Sequence, residues 1–324
     1  CQILVGCSYA ILGETRNADA VYWPTGLRGY LPSEWCEDTQ RRKAAGIPDN
    51  VQFKTKPDIA LDLLDNVRTI TPHQATTADS GYGKNGDFRK GLRERKEPYA
   101  VAVPPSDISI VPEDTEILPP GKKKGRGHPQ IHPNFPNNVQ PKTAEQIEKE
   151  LPSEEWEEIE WSEGTKGKLS ARFVRIRVRV ASHGRPTDEV GWLVFERTKK
   201  DELKVFMCWG LEHASLEDLV RIAHVRWTIE QCFKQMKGEL GLDDFEGRKW
   251  EGWHHHMAMV IVAFSYLMCL RAGVYSYEGK LPTLPKIRRE VAYLHVREIY
   301  VKKLNMTIEE ADSFLDENRI LIPE

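Results

Sequence analysis

The sequence predicts a mixed α/β sheet flanked by helices, interrupted by a mostly β insertion and followed by a helical tail. Three observations predict it. Residues 1–103 alternate strand-like runs with helical ones. Residues 173–180 alternate strictly at period 2 and are followed by strand-like runs at 189–197 and 203–209, and residues 221–240 return to the helical period.

The chain has 324 residues, 40% of them hydrophobic and 29% charged, which suits a soluble globular protein of two domains, or one with a large insertion. A net charge of −3 excludes a protein that binds nucleic acid through a global cationic field, so any such binding falls to local basic patches. Six cysteines without CxxC spacing read as reduced cytosolic thiols, not as a disulfide framework or a zinc site. The longest uncharged apolar run, residues 257–270, is short for a bilayer span, and no signal peptide stands at the start. These features predict a cytoplasmic protein with no membrane partner. The chain opens on Cys1 and enters a strand-like run at once, which predicts a fragment of a longer protein.

In order, residues 2–12 and 20–23 read as strands joined by the turn-forming GETRNAD, together an antiparallel hairpin. Residues 24–53 are rich in Pro, Gly and charge and read as surface connection, with a short helix near 38–45. Ile59, Leu63, Leu64 and Val67 recur at helical spacing within residues 57–70. Residues 74–78 then read as a short strand that ends on Asp79, followed by SGYG. A carboxylate leaving the end of a strand into a Gly-containing loop is where open α/β sheets put ligand-binding groups. Asp79 could equally cap a turn or the next helix, residues 87–94. Residues 98–103 form another short β-rich run.

From Pro104 to Thr143 the composition, dense in Pro and Gly, argues against a packed helix or a central strand, and it contains the basic run GKKKGRG. Residues 145–163 are crowded with glutamates and read as a solvated face. In FVRIRVRV, Arg175, Arg177 and Arg179 share one strand face, with Val174, Ile176, Val178 and Val180 on the other. Three arginines in register need an anion over them, either DNA phosphate or the acidic segment upstream. Residues 189–197 and 203–209 complete the β unit; Trp192 and Trp209 read as core, with a stacking role as the other option.

A helix follows, with Ser215 as N-cap and Gly241 as C-cap. On it Ile222, Val225, Ile229, Phe233, Met236 and Leu240 form an apolar stripe. At about 100° per residue, Arg226, Glu230 and Lys237 fall within roughly 40° of one another along its edge. They could be a surface ion-pair row or a site. His254, His255 and His256 cannot all reach one ion from a regular helix and read as packing or phosphate contacts. The tail reads as two polar helices, the second opened by Thr307 and Glu310 as a capping box.

The segments CQILVGCSYA, LPSEWCED, FKTKP, ADSGYG, GTKGKLSARF and above all RWTIEQCFKQMKGELGLDDFEGRKWEGWHHH resemble bacterial insertion-sequence DDE transposases with the Y-R-E-K signature. The likeness is to insertion-sequence family 701 within the broader family 4 group, and it runs from Cys1 to about Ala272. It implies an RNase H-like fold, similar to retroviral integrases, with residues 1–103 and 214–272 as two parts of one catalytic domain. Residues 104–213 would be the β-rich insertion and 273–324 the tail. Asp79 matches the second catalytic Asp and Glu230 the Glu, each a metal ligand. Arg226 and Lys237 match the signature cations and would contact DNA phosphates, while Ala223 stands where the signature Tyr belongs. The first Asp, on the central strand of the family's sheet, would lie upstream of the segment that matches CQILVG, so this chain lacks both.

The resemblance implies Mg²⁺ or Mn²⁺ in a two-metal site, cleavage of double-stranded DNA at element ends and strand transfer into target DNA, by a homodimer in the DNA complex. Carried by a fragment without its first Asp, that chemistry would be silent. A non-catalytic DNA-binding remnant and an RNase H-fold nuclease without end specificity share the same motifs.

Overall fold

A computed structural model of the chain describes residues 3–12, 20–120, 132–164, 167–273 and 281–317. The order is β1 (Ile3–Ile11), β2 (Val21–Tyr30), α1 (Ser33–Glu37), α2 (Thr39–Ala45), α3 (Lys56–Val67), β3 (Thr76–Ala78), α4 (Ser80–Gly83), α5 (Gly86–Glu94), β4 (Tyr99–Val103), β5 (Ser109–Pro112) and β6 (Lys142–Thr143). Then come α6 (Ala144–Glu148), β7 (Glu157–Gly164), β8 (Gly167–Ser182), β9 (Arg185–Arg197), β10 (Leu203–Trp209), α7 (Leu216–His224), α8 (Trp227–Leu240), α9 (Trp250–Gly273), α10 (Leu284–Leu304) and α11 (Ile308–Glu317). The chain divides into a first unit dominated by Lys54–Trp227 and a second formed by Gly6–Gly13, Asp19–Phe53 and Thr228–Glu324.

The first unit is built on an eight-stranded mixed sheet in the order β3-β4-β10-β9-β8-β5-β6, with β7 also paired to β8. β3 and β4 run parallel, and the other pairs are antiparallel. Period 2 places Val174, Val178 and Val180 of β8 on one face, where they pack with Leu193 and Phe195 of β9 and with Leu61, Leu64, Phe88 and Leu92 from α3 and α5. Ala171 and Phe173 point to the other face, which α7 covers with Leu216, Leu219, Val220, Ile222 and Ala223. Helices on both faces of a mixed sheet make the α/β class expected from the sequence. The strands of residues 104–213 join the same sheet as β3 and β4.

Ser109–Pro112 departs from the expectation that this Pro-rich stretch holds no sheet strand. It lies between β8 and β6, because Ile110 and Val111 are buried and its Pro stands at the last position. Residues 24–30, expected as surface connection, continue β2; Pro24 is tolerated because a two-stranded sheet consists only of edge strands. The helix near 38–45 is present, capped by the Asp38 side chain on Arg41 N–H. The run GKKKGRG lies outside the described residues.

In the second unit β1 and β2 form a two-stranded sheet. Tyr22 of β2 stacks on Phe264 of α9 and donates from its hydroxyl to Gln235 of α8 at 3.0 Å. Among the described residues α9 is the one helix long and apolar enough to cross a bilayer, yet Met257, Val260, Phe264, Leu267 and Met268 are buried within the protein. Arg288 of α10 reaches Glu239 of α8 at 2.8 Å. α11 opens on the expected box, with Thr307 N–H on Glu310 at 2.8 Å and Glu310 N–H on Thr307 Oγ1 at 3.2 Å.

Candidate functional site

Thr76–Ala78 is a strand because Thr76 N–H reaches Pro98 O at 2.8 Å and its residues pair in parallel register with Tyr99–Val101. The strand delivers Asp79, exposed, at its C-terminal end. Asp79 Oδ1 accepts from Gly81 N–H at 2.8 Å and Tyr82 N–H at 3.2 Å, so the capping role weighed from sequence is present. Oδ2 makes no hydrogen bond among the described residues and is open to a ligand, so the cap does not preclude a site. Burial, and then the Asp79 charge, push the Tyr82 phenol up. Gly83 explains the motif's last glycine: a Cβ there would lie 1.9 Å from Ala102 O of β4.

The start of β3 is held by a second cluster. Glu97, 5% exposed, accepts from Thr76 Oγ1 at 2.8 Å and pairs with His73, whose Nδ1 meets Thr71 O at 2.7 Å. Both ring nitrogens face acceptors, so the imidazolium is the form that satisfies both. Burial opposes that charge, but the bonds to Thr71 and Glu97 outweigh it and raise the His73 pKa.

The helix expected over residues 215–240 is two helices. α7 opens at Ser215 with a capping box to Asp218 and ends at His224; Val225 and Arg226 form a turn, and α8 starts at Trp227. No Gly, Pro or Asn marks the break. What anchors α7 there is tertiary: His224 stacks on Trp161 at 4.2 Å and its Nε2 lies 3.1 Å from Glu196 Oε2 on β9. Glu196 is fully buried and also takes Lys204 Nζ at 3.2 Å. Burial works against its charge, but His224 and Lys204 outweigh it and hold the carboxyl below the usual range. His224 belongs to this cluster. Period 2 along β9 aligns Glu196 with Val190, Trp192 and Val194, a signal that would have marked it as a face-directed carboxylate.

Arg226 is therefore half-buried in the turn before α8, not on a continuous helix with Glu230. Glu230 is exposed in the first turn of α8, where the dipole favours a carboxylate, and Lys237 is exposed in the last turn. The buried face of α8 is Thr228, Cys232 and Met236; Ile229, Phe233 and Leu240 of the expected stripe are only half-buried. Gly241 ends α8 at φ +65°, with Leu242 N–H on Met236 O at 3.0 Å, the expected C-cap. Asp79 and Arg226 belong to the first unit, Glu230 and Lys237 to the second.

Carboxylate oxygens such as those of Asp79 and Glu230 are the donors Mg²⁺ prefers. Among the described residues, however, no group of three or more His, Cys, Asp and Glu is gathered to hold an ion. The donor type fits, and among the described residues the donor set is incomplete. His254 and His256 serve packing: His254 Nδ1 meets Trp250 O at 2.9 Å and His256 Nε2 meets Gly241 O at 2.9 Å.

The hydrogen-bond partners of the β8 arginines lie outside the acidic segment upstream. Arg175 donates to Ala214 O, Arg179 to Thr187 O at 3.0 Å, and Arg177 forms a two-pronged pair with Glu113 at 2.8 Å on each prong. Glu113 lies ahead of the acidic segment. Trp192 is half-buried, with Arg175 at 4.2 Å and Arg177 at 5.1 Å over its ring, while Trp209 stacks on Tyr99 against the core.

No curated protein matches the chain. A family model described as DDE superfamily endonuclease matches residues 1–168, more than half of the 324 residues and the part that holds Asp79. The chain belongs to the DDE superfamily endonucleases.

Proposed function

We propose that this chain is a transposase of the Y-R-E-K branch, close to insertion-sequence family 701, which cuts DNA at element ends and joins the 3′-hydroxyls to target DNA. Asp79 and Glu230 act as two of three carboxylates for Mg²⁺ or Mn²⁺, and Arg226 and Lys237 hold phosphates beside them. The third acid is assigned to an upstream strand of an RNase H-like catalytic domain made of residues 1–103 and 214–272. Residues 104–213 are its insertion, 273–324 its tail, and the DNA complex is dimeric. Protein without the third acid binds DNA and does not turn over. Its place is the cytoplasm.

The observation that carries the reading is Asp79 itself: an exposed carboxylate at the C-terminal end of a parallel-paired strand, within the segment that matches the endonuclease family. When bound, paired divalent ions activate the attacking oxygen and stabilise the leaving one. The chain's own part is to present the acids and to fix the DNA backbone, since phosphate contacts set register and orientation.

A second reading, an endonuclease without end preference, is favoured by the family's own description. The two separate on one experiment: protein supplied with the upstream aspartate-bearing strand is given duplexes that carry the element's inverted-repeat ends, and random duplexes of equal length. A transposase cuts the ends selectively and joins the released 3′-hydroxyl to a second duplex. Equal cutting of both with no joined product refutes it.

A further inference from the structure

We propose that the strip formed by Arg175, Arg177 and Arg179 of β8 with Trp192 of β9 is a second nucleic-acid contact surface, which takes the phosphodiester backbone of a duplex and in which Glu113 occupies the place of a phosphate. The proposal rests on DNA being the substrate, and its residues are distinct from the acids assigned above.

Among the described residues the strip is a half-buried stretch of one sheet face that lies between two apolar covers. On one side α7 packs over Ala100, Phe173, Val194 and Phe206. On the other, Phe135 packs on Val111 and Ala181, and Val111 pairs directly with Arg179. Between these covers, period 2 brings up the three arginines, about 6.6–6.8 Å apart along the strand. That repeat is comparable with the separation of successive phosphates on one nucleic-acid strand. Trp192 pairs with Arg177 across the β8–β9 ladder, and its ring supports the guanidinium groups of Arg175 and Arg177.

The partners of the three arginines point to an oxyanion ligand. Arg175 and Arg179 donate to the neutral carbonyls of Ala214 and Thr187, so neither positive charge is neutralised by that hydrogen-bond partner. Arg177 presents its planar fork to Glu113 in the two-pronged geometry that guanidinium groups use for carboxylate and phosphate alike. The Glu113 side chain is 41% exposed and that of Arg177 25%, so the pair is reached by solvent and open to exchange with an anion from solution. The contrast is Arg89–Glu189, whose side chains are 7% and 2% exposed and which no ligand could reach without unfolding the core. Glu212 is the other carboxylate acting on Arg177, so three guanidinium groups face two carboxylates, and loss of Glu113 tips the balance further toward cation.

The test is fluorescence anisotropy with a labelled random-sequence 20-base-pair duplex, read over a series of salt concentrations for the chain and its Glu113→Gln and Arg177→Gln variants. Glu113→Gln should tighten binding several-fold and steepen the salt dependence, by a slope of roughly 0.9 for one added phosphate contact. Arg177→Gln should weaken binding several-fold and flatten the slope by about the same amount. If both variants keep the parent's affinity and slope, the strip is structural and the proposal fails. It also fails if poly-glutamate displaces the duplex as well as unlabelled DNA does at equal charge, since the surface would then be a general anion or acidic-protein site. A chain that binds no duplex at low salt overturns this proposal and the transposase reading together. Opposite slope changes in the two variants, together with equal cutting of end and random duplexes and no joined product by protein supplied with the upstream aspartate-bearing strand, would uphold the strip and leave only the transposase reading refuted.

Discussion

Gly83→Ala is the substitution whose consequence follows most directly from the geometry around Asp79. A Cβ at position 83 would lie 1.9 Å from Ala102 O and 3.0 Å from Ala102 C, both backbone atoms of β4 that sit inside the sheet. Reaching an ordinary contact of about 3.5 Å needs a displacement of roughly 1.5 Å between α4 and β4. Neither side yields easily. Ala102 is paired to Phe206 in the sheet, and Gly83 O accepts from the buried Arg89. Overpacking of this kind costs about 1–3 kcal/mol or more, and it moves the turn whose first residue is Asp79. Gly86 is the control: nothing lies within 4 Å of its Cβ position and it begins α5, so Gly86→Ala should be neutral or stabilising by about 0.4–1 kcal/mol. Urea unfolding followed by tryptophan fluorescence should place the Gly83→Ala midpoint well below that of the parent, and the Gly86→Ala midpoint at or above it. Equal midpoints for Gly83→Ala and the parent would refute the argument that α4 is seated by this close approach.

Two further outcomes are expected. Because the folded-state pKa of His73 is raised above its ordinary 6.5, the His73–Glu97 pair stabilises fully below that value and is lost as pH rises through the raised one. The thermal midpoint of the parent should therefore fall toward that of His73→Asn between neutral and mildly alkaline pH, and a constant gap across that range would contradict the ion pair. Glu189 accepts from Arg89 at 2.7 Å and from the Tyr99 hydroxyl at 2.6 Å, with Arg93 at 3.1 Å; Arg93 also reaches Asp188 at 2.9 Å, so Glu189→Gln strips the buried Arg89 of its carboxylate and should cost about 3–5 kcal/mol in urea unfolding, whereas a loss under 1 kcal/mol would refute it.

What the sequence made legible follows local physics. The alternation in FVRIRVRV, the N-cap at Ser215, the capping box at Thr307, the α3 helix and the strand ending on Asp79 are each written in a few neighbouring residues. What it did not make legible depends on partners far along the chain. The two-pronged bond of Arg177 joins residues 64 apart in sequence, so its anion could not be read from the strand. Ser109–Pro112 is a strand because β8 offers it an edge, against its own Pro-rich surroundings. The break at Val225 and Arg226 lacks a breaker residue and lies just after His224, which stacks on Trp161 from a distant strand, so a continuous 3.6 period was misleading there. Spacing put Arg226, Glu230 and Lys237 on one helix edge; the fold puts Arg226 in the turn before it.

The Asp79 cap determines how the central claim should be tested. Asp79→Asn retains an oxygen for Gly81 and Tyr82 N–H, as Asn caps about as well as Asp, while it removes the negative charge. In protein supplied with the upstream aspartate-bearing strand, Asp79→Asn and Glu230→Gln are compared with the parent for cleavage of labelled end duplexes in Mg²⁺, with duplex binding read in parallel. Both variants should bind as the parent does and cut nothing; cleavage at the parent's rate by either would contradict the assignment of that residue as a catalytic acid.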